Sequence, residues 1–468
     1  MRQPGSILLI SCYELGHQPH GIASPLGFLQ RAGFAPDALD VARGPLLPSR
    51  ILRARLIGIS VPMHTALRLG MRVAERIRRL NPACHVCFYG LYAHLNAACL
   101  LGTLADSVIG GEYEEALVAL AEALERGADP RSVPGLGVPG RPEPPILARL
   151  RFAPPERRLL APLASYASLV TGEETRLAGY TEASRGCLHR CRHCPIPPVY
   201  DGRFFVVPRD VVLADVRSQV EAGARHVTFG DPDFLNGPAH SLAILREMRR
   251  EFPFVSYDFT AKIEHLLKHR GLLPEMASLG CSFIVSAVES LSDRVLGILD
   301  KGHSRADALE AFRIVRDAGI TLRPSLLPFT PWSTLEEYGE LVDFIEEEDL
   351  IEAVDPVQLA VRLLIPAGSL LLSHPAMLPY LKESGESASI SHAWSHPDPR
   401  MDALHRRITA LIERAAHDQE DPRLTFRRIG RCIRAAAGAP SAEDSVGLLP
   451  SDSFPRRHLP RLTESWFC

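Results

Sequence analysis

Three cysteines within eight residues carry the strongest chemical signal in the chain: Gly186-Cys187-Leu188-His189-Arg190-Cys191-Arg192-His193-Cys194 places thiols at i, i+4 and i+7. Thiolates are soft ligands, and three on one short loop can cap three irons of a cubane cluster while the fourth iron stays open to an external ligand. The alternative donor set is a structural Cys3His zinc knot completed by His189 or His193; such closed sites usually pair two separated arms of ligands, and here there is one arm. Ten cysteines in 468 residues are too dilute for a disulfide scaffold, so their clustering points to metal in a reducing compartment.

A ligand loop of this kind needs a rigid platform. From about residue 175 the apolar periodicity predicts strands near 178–183, 226–230, 255–260, 282–287, 320–326 and 357–363, with helical patterns at 209–223, 239–251, 263–279, 304–318 and 334–347 between them. That order fits an α/β fold, a partial (β/α)6 barrel whose chemistry lies at the C-terminal strand ends, with the cysteine loop following the first strand. Upstream, strands at 6–10, 56–61, 85–89 and 107–109 alternate with helical patterns at 22–33, 65–80, 91–103 and 113–126, the pattern of a Rossmann-like (flavodoxin-like) domain with a parallel sheet. Its loops 12–21, 62–64, 90–91 and 110–112 should face one cleft. The expected division is a Rossmann-like domain at 1–126, a Pro/Gly-rich linker at 127–174, the barrel at 175–370 and a C-terminal extension at 371–468 with a helix at 401–417.

Composition narrows the partners. With 52 basic and 55 acidic residues and a net charge of -3, no electrostatic footprint for nucleic acid is present. No apolar run approaches the ~18 residues that a membrane span needs, and the N-terminal apolar stretch is too short for a signal-peptide core. A cytoplasmic protein acting on a small molecule, peptide or protein is expected.

The CxxxCxxC loop resembles that of the radical S-adenosylmethionine (SAM) superfamily. The resemblance implies a 4Fe-4S cluster on Cys187, Cys191 and Cys194, whose open iron chelates the amino and carboxyl groups of SAM. The superfamily usually has an aromatic residue before the third cysteine; His193 stands here, an imidazole able to pack over adenine. Gly230-Asp231-Pro232-Asp233-Phe234 is similar to the acidic stretch that accepts from the SAM amino group, with Asp231 and Asp233 the candidates; a turn or N-cap role is the alternative. Ser286-Ala287-Val288-Glu289-Ser290 is similar to the fourth-strand segment whose Glu289 position reaches the ribose hydroxyls, the alternative being a cap for the next helix. Arg323 is placed by the same resemblance near the SAM carboxylate, with a surface arginine as the alternative. Pro366-Ala367-Gly368-Ser369 fits the loop closing this type of barrel.

The order of the two domains resembles the cobalamin (B12)-binding radical SAM enzymes. Their Asp-x-His-x-x-Gly motif is not met by Glu14-Leu15-Gly16-His17-Gln18-Pro19-His20-Gly21, so axial ligation by His17 is not expected, and His17 and His20 also read as solvated loop residues. Ser60-Val61-Pro62-Met63 and Gly110-Gly111-Glu112 do fall where that family's Ser-containing and Gly-Gly segments fall, which implies Ser60, Gly110 and Gly111 as cobalamin contacts.

The expected function is reductive cleavage of SAM to a 5′-deoxyadenosyl radical acting on a substrate the sequence does not name, with methyl transfer through cobalamin and a flavodoxin or ferredoxin as electron donor. The alternatives are a non-methylating radical SAM enzyme with a vestigial B12 domain, and a non-enzymatic iron–sulfur or corrinoid sensor. Finally, Thr463-Glu464-Ser465-Trp466-Phe467-Cys468 resembles the end of a cobalamin-domain radical SAM family with Cys-Sec-Ala-Glu-Pro or Cys-Cys-Ala-Glu-Pro tails. It implies a selenoprotein read up to a UGA codon, the alternative being an ordinary terminus.

Overall fold

The computed structural model of the chain describes residues 1–382, 390–437 and 459–464. Its first sheet contains β1 (Ile7–Ser11), β2 (Asp37–Asp40), β3 (Leu56–Ser60), β4 (His85–Tyr89), β5 (Ser107–Ile109) and β6 (Leu136–Gly137), in the order β2-β1-β3-β4-β5-β6. The first five strands are parallel and β6 is antiparallel to β5. Every residue of β1 and β3 is buried, as helices on both faces require. Alternate side chains divide between two cores: Leu8, Ile10, Ile57, Ile59 and Phe88 on one face, and Ile7, Leu9, Leu56, Cys87 and Tyr89 on the other.

Two strands of this sheet were not expected. β2 reads Asp-Ala-Leu-Asp, too short and too acidic at its ends to register as a strand, and Arg50 holds Asp37 at its edge. β6 lies inside the Pro/Gly-rich stretch, which is laid against both halves of the molecule: Ile146 pairs with Gly111, and the buried Arg157 binds Asp215 at 2.6 Å.

The second sheet is built from β7 (Ser168–Thr171), β8 (Glu174–Thr181), β11 (His226–Phe229), β12 (Ser256–Thr260), β13 (Cys281–Glu289), β14 (Thr321–Leu326) and β15 (Arg461–Leu462). Between β8 and β11 a small hairpin, β9 (Ser184–Gly186) with β10 (Phe204–Val206), carries the cysteine loop. The order is β14-β13-β12-β11-β8-β7-β15, with β8 and β11 to β14 parallel and β7 and β15 antiparallel. The expected sixth strand at 357–363 is instead a tight turn, Pro356–Ala360, followed by one parallel bridge between Phe329 and Arg362. Pro356 fixes φ and lacks the N–H that a ladder would use.

β15 closes the open side of this half-barrel. Leu462 packs on Leu169, Phe283 and Val285, the Pro460 carbonyl accepts from Arg323, and Glu464 accepts from the Tyr13 hydroxyl at 2.8 Å. Helix Pro399–His417 matches expectation, while Pro422–Ala436 was missed; the second packs on helix Leu335–Glu347, with Ile433 against Gly339, and the first packs on the second and on the turn Pro356–Ala360. Among the described residues no helix is long and apolar enough to cross a membrane. Ser465 to Cys468, on which the selenoprotein reading turns, lie outside the described residues.

Candidate functional site

The cysteine loop leaves the hairpin at Gly186, whose φ of +75° and whose contact with the Arg203 carbonyl, 2.4 Å from where a Cβ would sit, exclude a side chain. Cys187 and Cys191 are buried and Cys194 is half-buried. Asn236 accepts from the Leu188 N–H at 3.3 Å, and Arg192 ties the far side of the loop to the Leu299, Gly297 and Ile298 carbonyls. Burial pushes the Cys194 thiol up to about 12 and raises Cys187, and in both cases charge on the neighbouring thiols adds to the effect. Cys187 and Cys194, raised in this way, become thiolates where a cationic centre stands beside them.

Neither histidine of the zinc alternative completes a tetrahedron simply. His189 turns its Nε2 to His265 at 3.2 Å, and His193 gives its Nε2 to Glu289 at 3.2 Å, leaving only the buried, unpartnered His193 Nδ1. The donor set therefore fits a three-thiolate cluster with one open position.

Around the loop, the ends of β11, β12 and β13 present charged groups. Glu289, at the end of β13 with φ +63°, takes Lys301 Nζ at 3.1 Å and His193 through one oxygen. Burial opposes its charge, yet Lys301 and His193 prevail and hold it at about 2. Asp231 accepts from Ser184 Oγ at 2.5 Å and Ala183 N–H at 2.9 Å, and burial pushes it up to about 7, so it braces the hairpin. Asp233 caps the turn Phe234–Asn236 through the Leu235 N–H and lies 2.8 Å from His265 Nδ1. Arg323 is not a surface residue; it points to the Glu352 and Pro460 carbonyls and Asp355, all at 3.3 to 3.4 Å. Of the expected SAM residues, His193 and Glu289 meet beside the thiols, while Asp231 and Arg323 are committed elsewhere. Lys262 and His265 were missed because nothing local marks the end of β12.

At the N-terminal sheet the carboxyl ends are filled by the chain itself. A Cβ on Gly110 would lie 2.6 Å from His94 Cβ, and one on Gly111 would lie 2.2 Å from the Ile146 carbonyl, whose residue pairs with the backbone on both sides. Ser60 is buried with its Oγ against Gly21. Ser60, Gly110 and Gly111 therefore offer no surface to a corrin. His17 is not solvated: it packs on Tyr180 with ring centroids 4.8 Å apart, and burial lowers it to about 4. His20 is also buried, beside Arg157 and Glu182. Between the halves Arg185 meets Glu114 at 2.7 Å, Glu182 at 2.9 Å and Glu112 at 3.3 Å, with Tyr200 donating to Glu112 at 3.0 Å.

Residues 181–345 match the radical SAM superfamily, so the chain carries a radical SAM domain. It is 20% identical over 294 residues to an uncharacterized methyltransferase of Pyrococcus horikoshii, covering 61% of each protein. It is 29% identical over 178 residues to the tRNA-2-methylthio-N(6)-dimethylallyladenosine synthase of Chlorobium luteolum, covering 36% of this chain and 39% of that protein. The chain thus matches about three fifths of the first relative's length and about two fifths of the second's.

Two solved structures share its fold. The radical SAM methyltransferase TsrM of Kitasatospora setae, with cobalamin and a 4Fe-4S cluster bound, superposes with a TM-score of 0.60 at 19% identity, covering 74% of this chain and 71% of TsrM. The cobalamin-dependent SAM radical enzyme OxsB gives 0.68 at 15% identity, covering 87% and 67%. The architecture shared with them is a Rossmann-like parallel-sheet domain followed by a radical SAM half-barrel.

Proposed function

We propose that this chain is a radical SAM enzyme, a reading carried by Cys187, Cys191 and Cys194 standing together on one short loop of a radical SAM domain. When bound, the cluster supplies one-electron reductive cleavage of SAM to methionine and a 5′-deoxyadenosyl radical. Cys187, Cys191 and Cys194 hold the metal. Glu289, kept ionised by Lys301 and His193, is the carboxylate beside it that accepts from the ribose hydroxyls. His193 borders the adenine. Asp231 and Arg323 act on SAM only through the elements they brace.

The names of the relatives support transfer of a methyl or methylthio group as the class of reaction, on a substrate yet to be identified, with a flavodoxin or ferredoxin as electron donor in the cytoplasm. The residues that resemble cobalamin contacts are covered by the chain itself, Gly110 by the His94 side chain and Gly111 by the Ile146 backbone. That closure favours a second reading, in which the N-terminal domain serves as a scaffold for a non-methylating enzyme.

Anaerobic reconstitution should load about four irons per chain and, with a strong reductant, yield 5′-deoxyadenosine from SAM. Cys187→Ala, Cys191→Ala and Cys194→Ala should abolish the product, whereas Cys84→Ala and Cys87→Ala should not. Zinc in place of iron at the three thiols would overturn the assignment, and a loaded cluster that never turns over SAM would favour a sensor.

A further inference from the structure

His189 belongs to the cysteine loop but faces away from what the thiols need. Its Nε2 lies 3.2 Å from Nε2 of His265, on helix Ile263–Lys268 after β12. Behind each imidazole stands a carboxylate: Asp233 Oδ2 is 2.8 Å from His265 Nδ1, and Glu264 Oε2 is 3.6 Å from His189 Nδ1. Asp233 Oδ2 is also 3.7 Å from His189 Nε2, and one donor atom from each of His189, Asp233 and His265 lies within 4.8 Å of the others. The side chain of Asp233 is fully buried, while His265 and His189 are 7% and 15% exposed.

The buried His265 Nδ1 has no hydrogen-bond partner among the described residues, so an imidazole nitrogen stands unpaired beside a fully buried carboxylate oxygen. Leaving a buried nitrogen without a partner is unfavourable, and a cation bound between it and the carboxylate removes that penalty. Neighbouring donors on a tetrahedral ion with metal–donor bonds of about 2.0–2.2 Å are about 3.3–3.6 Å apart, and Asp233 Oδ2 stands 2.8 Å from His265 Nδ1 and 3.7 Å from His189 Nε2, so small shifts seat one shared ion. The nearby Lys262 ammonium is drawn off by Glu264, at 3.3 Å.

We propose that His189, His265 and Asp233 form a second metal site, for one divalent ion of borderline softness such as zinc, separate from the three thiols. His265 Nδ1, Asp233 Oδ2 and His189 Nε2 bind the ion, and water completes the shell. The ion pins the cysteine loop to the ends of β11 and β12. Asp233 then belongs to this site and not to the SAM amino group.

Reconstituted holoenzyme, incubated with Zn²⁺ and desalted, is expected to retain about one zinc beside about four irons. His189→Gln and His265→Gln should each lose the zinc and keep the iron, with circular dichroism unchanged. A variant with all three cluster cysteines replaced by alanine should still bind one Co²⁺ with tetrahedral d–d bands, and these should vanish when His265→Gln is added. That last result does not depend on the radical SAM reading. Folded wild type that retains no zinc, or zinc and cobalt binding untouched by both histidine substitutions, would overturn the proposal.

Discussion

Glu112 and Glu289 stand at corresponding places in the two halves of the molecule, each buried at the carboxyl end of a sheet beside a cation, and their carboxyls move in opposite directions. Burial pushes Glu112 up to about 7, although Arg185 is 3.3 Å away, because that guanidinium is shared with Glu114 and Glu182. Glu289 has Lys301 and His193 to itself and is held at about 2. The N-terminal edge uses its polar groups to join the halves, with its strand ends filled by Ile146 and His94. The barrel edge keeps a paired carboxylate and three thiols together in place of such packing. The same topological position has become a joint in one sheet and the proposed reaction site in the other.

The largest test of that contrast is Arg185→Met. It leaves three carboxylates facing one another without their cation, and breaking a buried pair costs about 3–5 kcal/mol, so the urea midpoint should fall steeply. A loss within the ordinary surface range of about 0.5 kcal/mol would show that the joint is not built on Arg185.

Glu289→Gln comes next. A carboxyl lowered from 4.5 to about 2 contributes stability in full above its unfolded value, and that contribution is lost as pH falls through the window from 4.5 to about 2. The variant should therefore be less stable than wild type by about 2–4 kcal/mol at pH 7, with the gap closing toward pH 2 in denaturant titrations. A gap that stays constant with pH would assign the loss to packing.

Glu112→Gln should act with the opposite sign. A carboxyl raised from 4.5 to about 7 makes wild type lose stability as pH rises through that window, whereas the amide does not titrate and still accepts from Tyr200. The two proteins should match near pH 4, and the variant should be the more stable by about 1–2 kcal/mol at pH 8, read from thermal melts. The smallest effect is expected for Ser60→Ala on the retention of hydroxocobalamin, which should not change, since Ser60 Oγ is turned to Gly21. Loss of a corrinoid that wild type retains would show that the strand ends open.

The cysteine loop and most of the parallel strands were legible because thiol spacing and apolar runs are local signals. β2, β6 and β15 were not: each is two to four residues long and gains its identity from a neighbour far away in sequence. The site shows the same limit. Glu289 stood in a recognisable segment, but nothing near His265 in sequence shows that it will meet His189, and Arg323, expected near the SAM carboxylate or at the surface, is instead held by the Pro460 carbonyl beside β15. Ser60, Gly110 and Gly111 fell at the right strand ends. What covers the two glycines, Ile146 and His94, comes from a stretch read as linker and from a helix whose facing the sequence did not resolve.

β15 also sets an order of events. The Ser168 N–H finds its acceptor on Thr463, 295 residues later. On the ribosome, the domain that holds the cysteine loop is synthesised and able to fold long before its last wall exists, since chain emerges at about 5–20 residues per second. During that interval β7 is an unpaired edge and the barrel interior faces solvent. Metal loading of the cysteine loop has this window in which to occur, and the arrival of residues 459–464 then shuts the chamber around whatever has been installed.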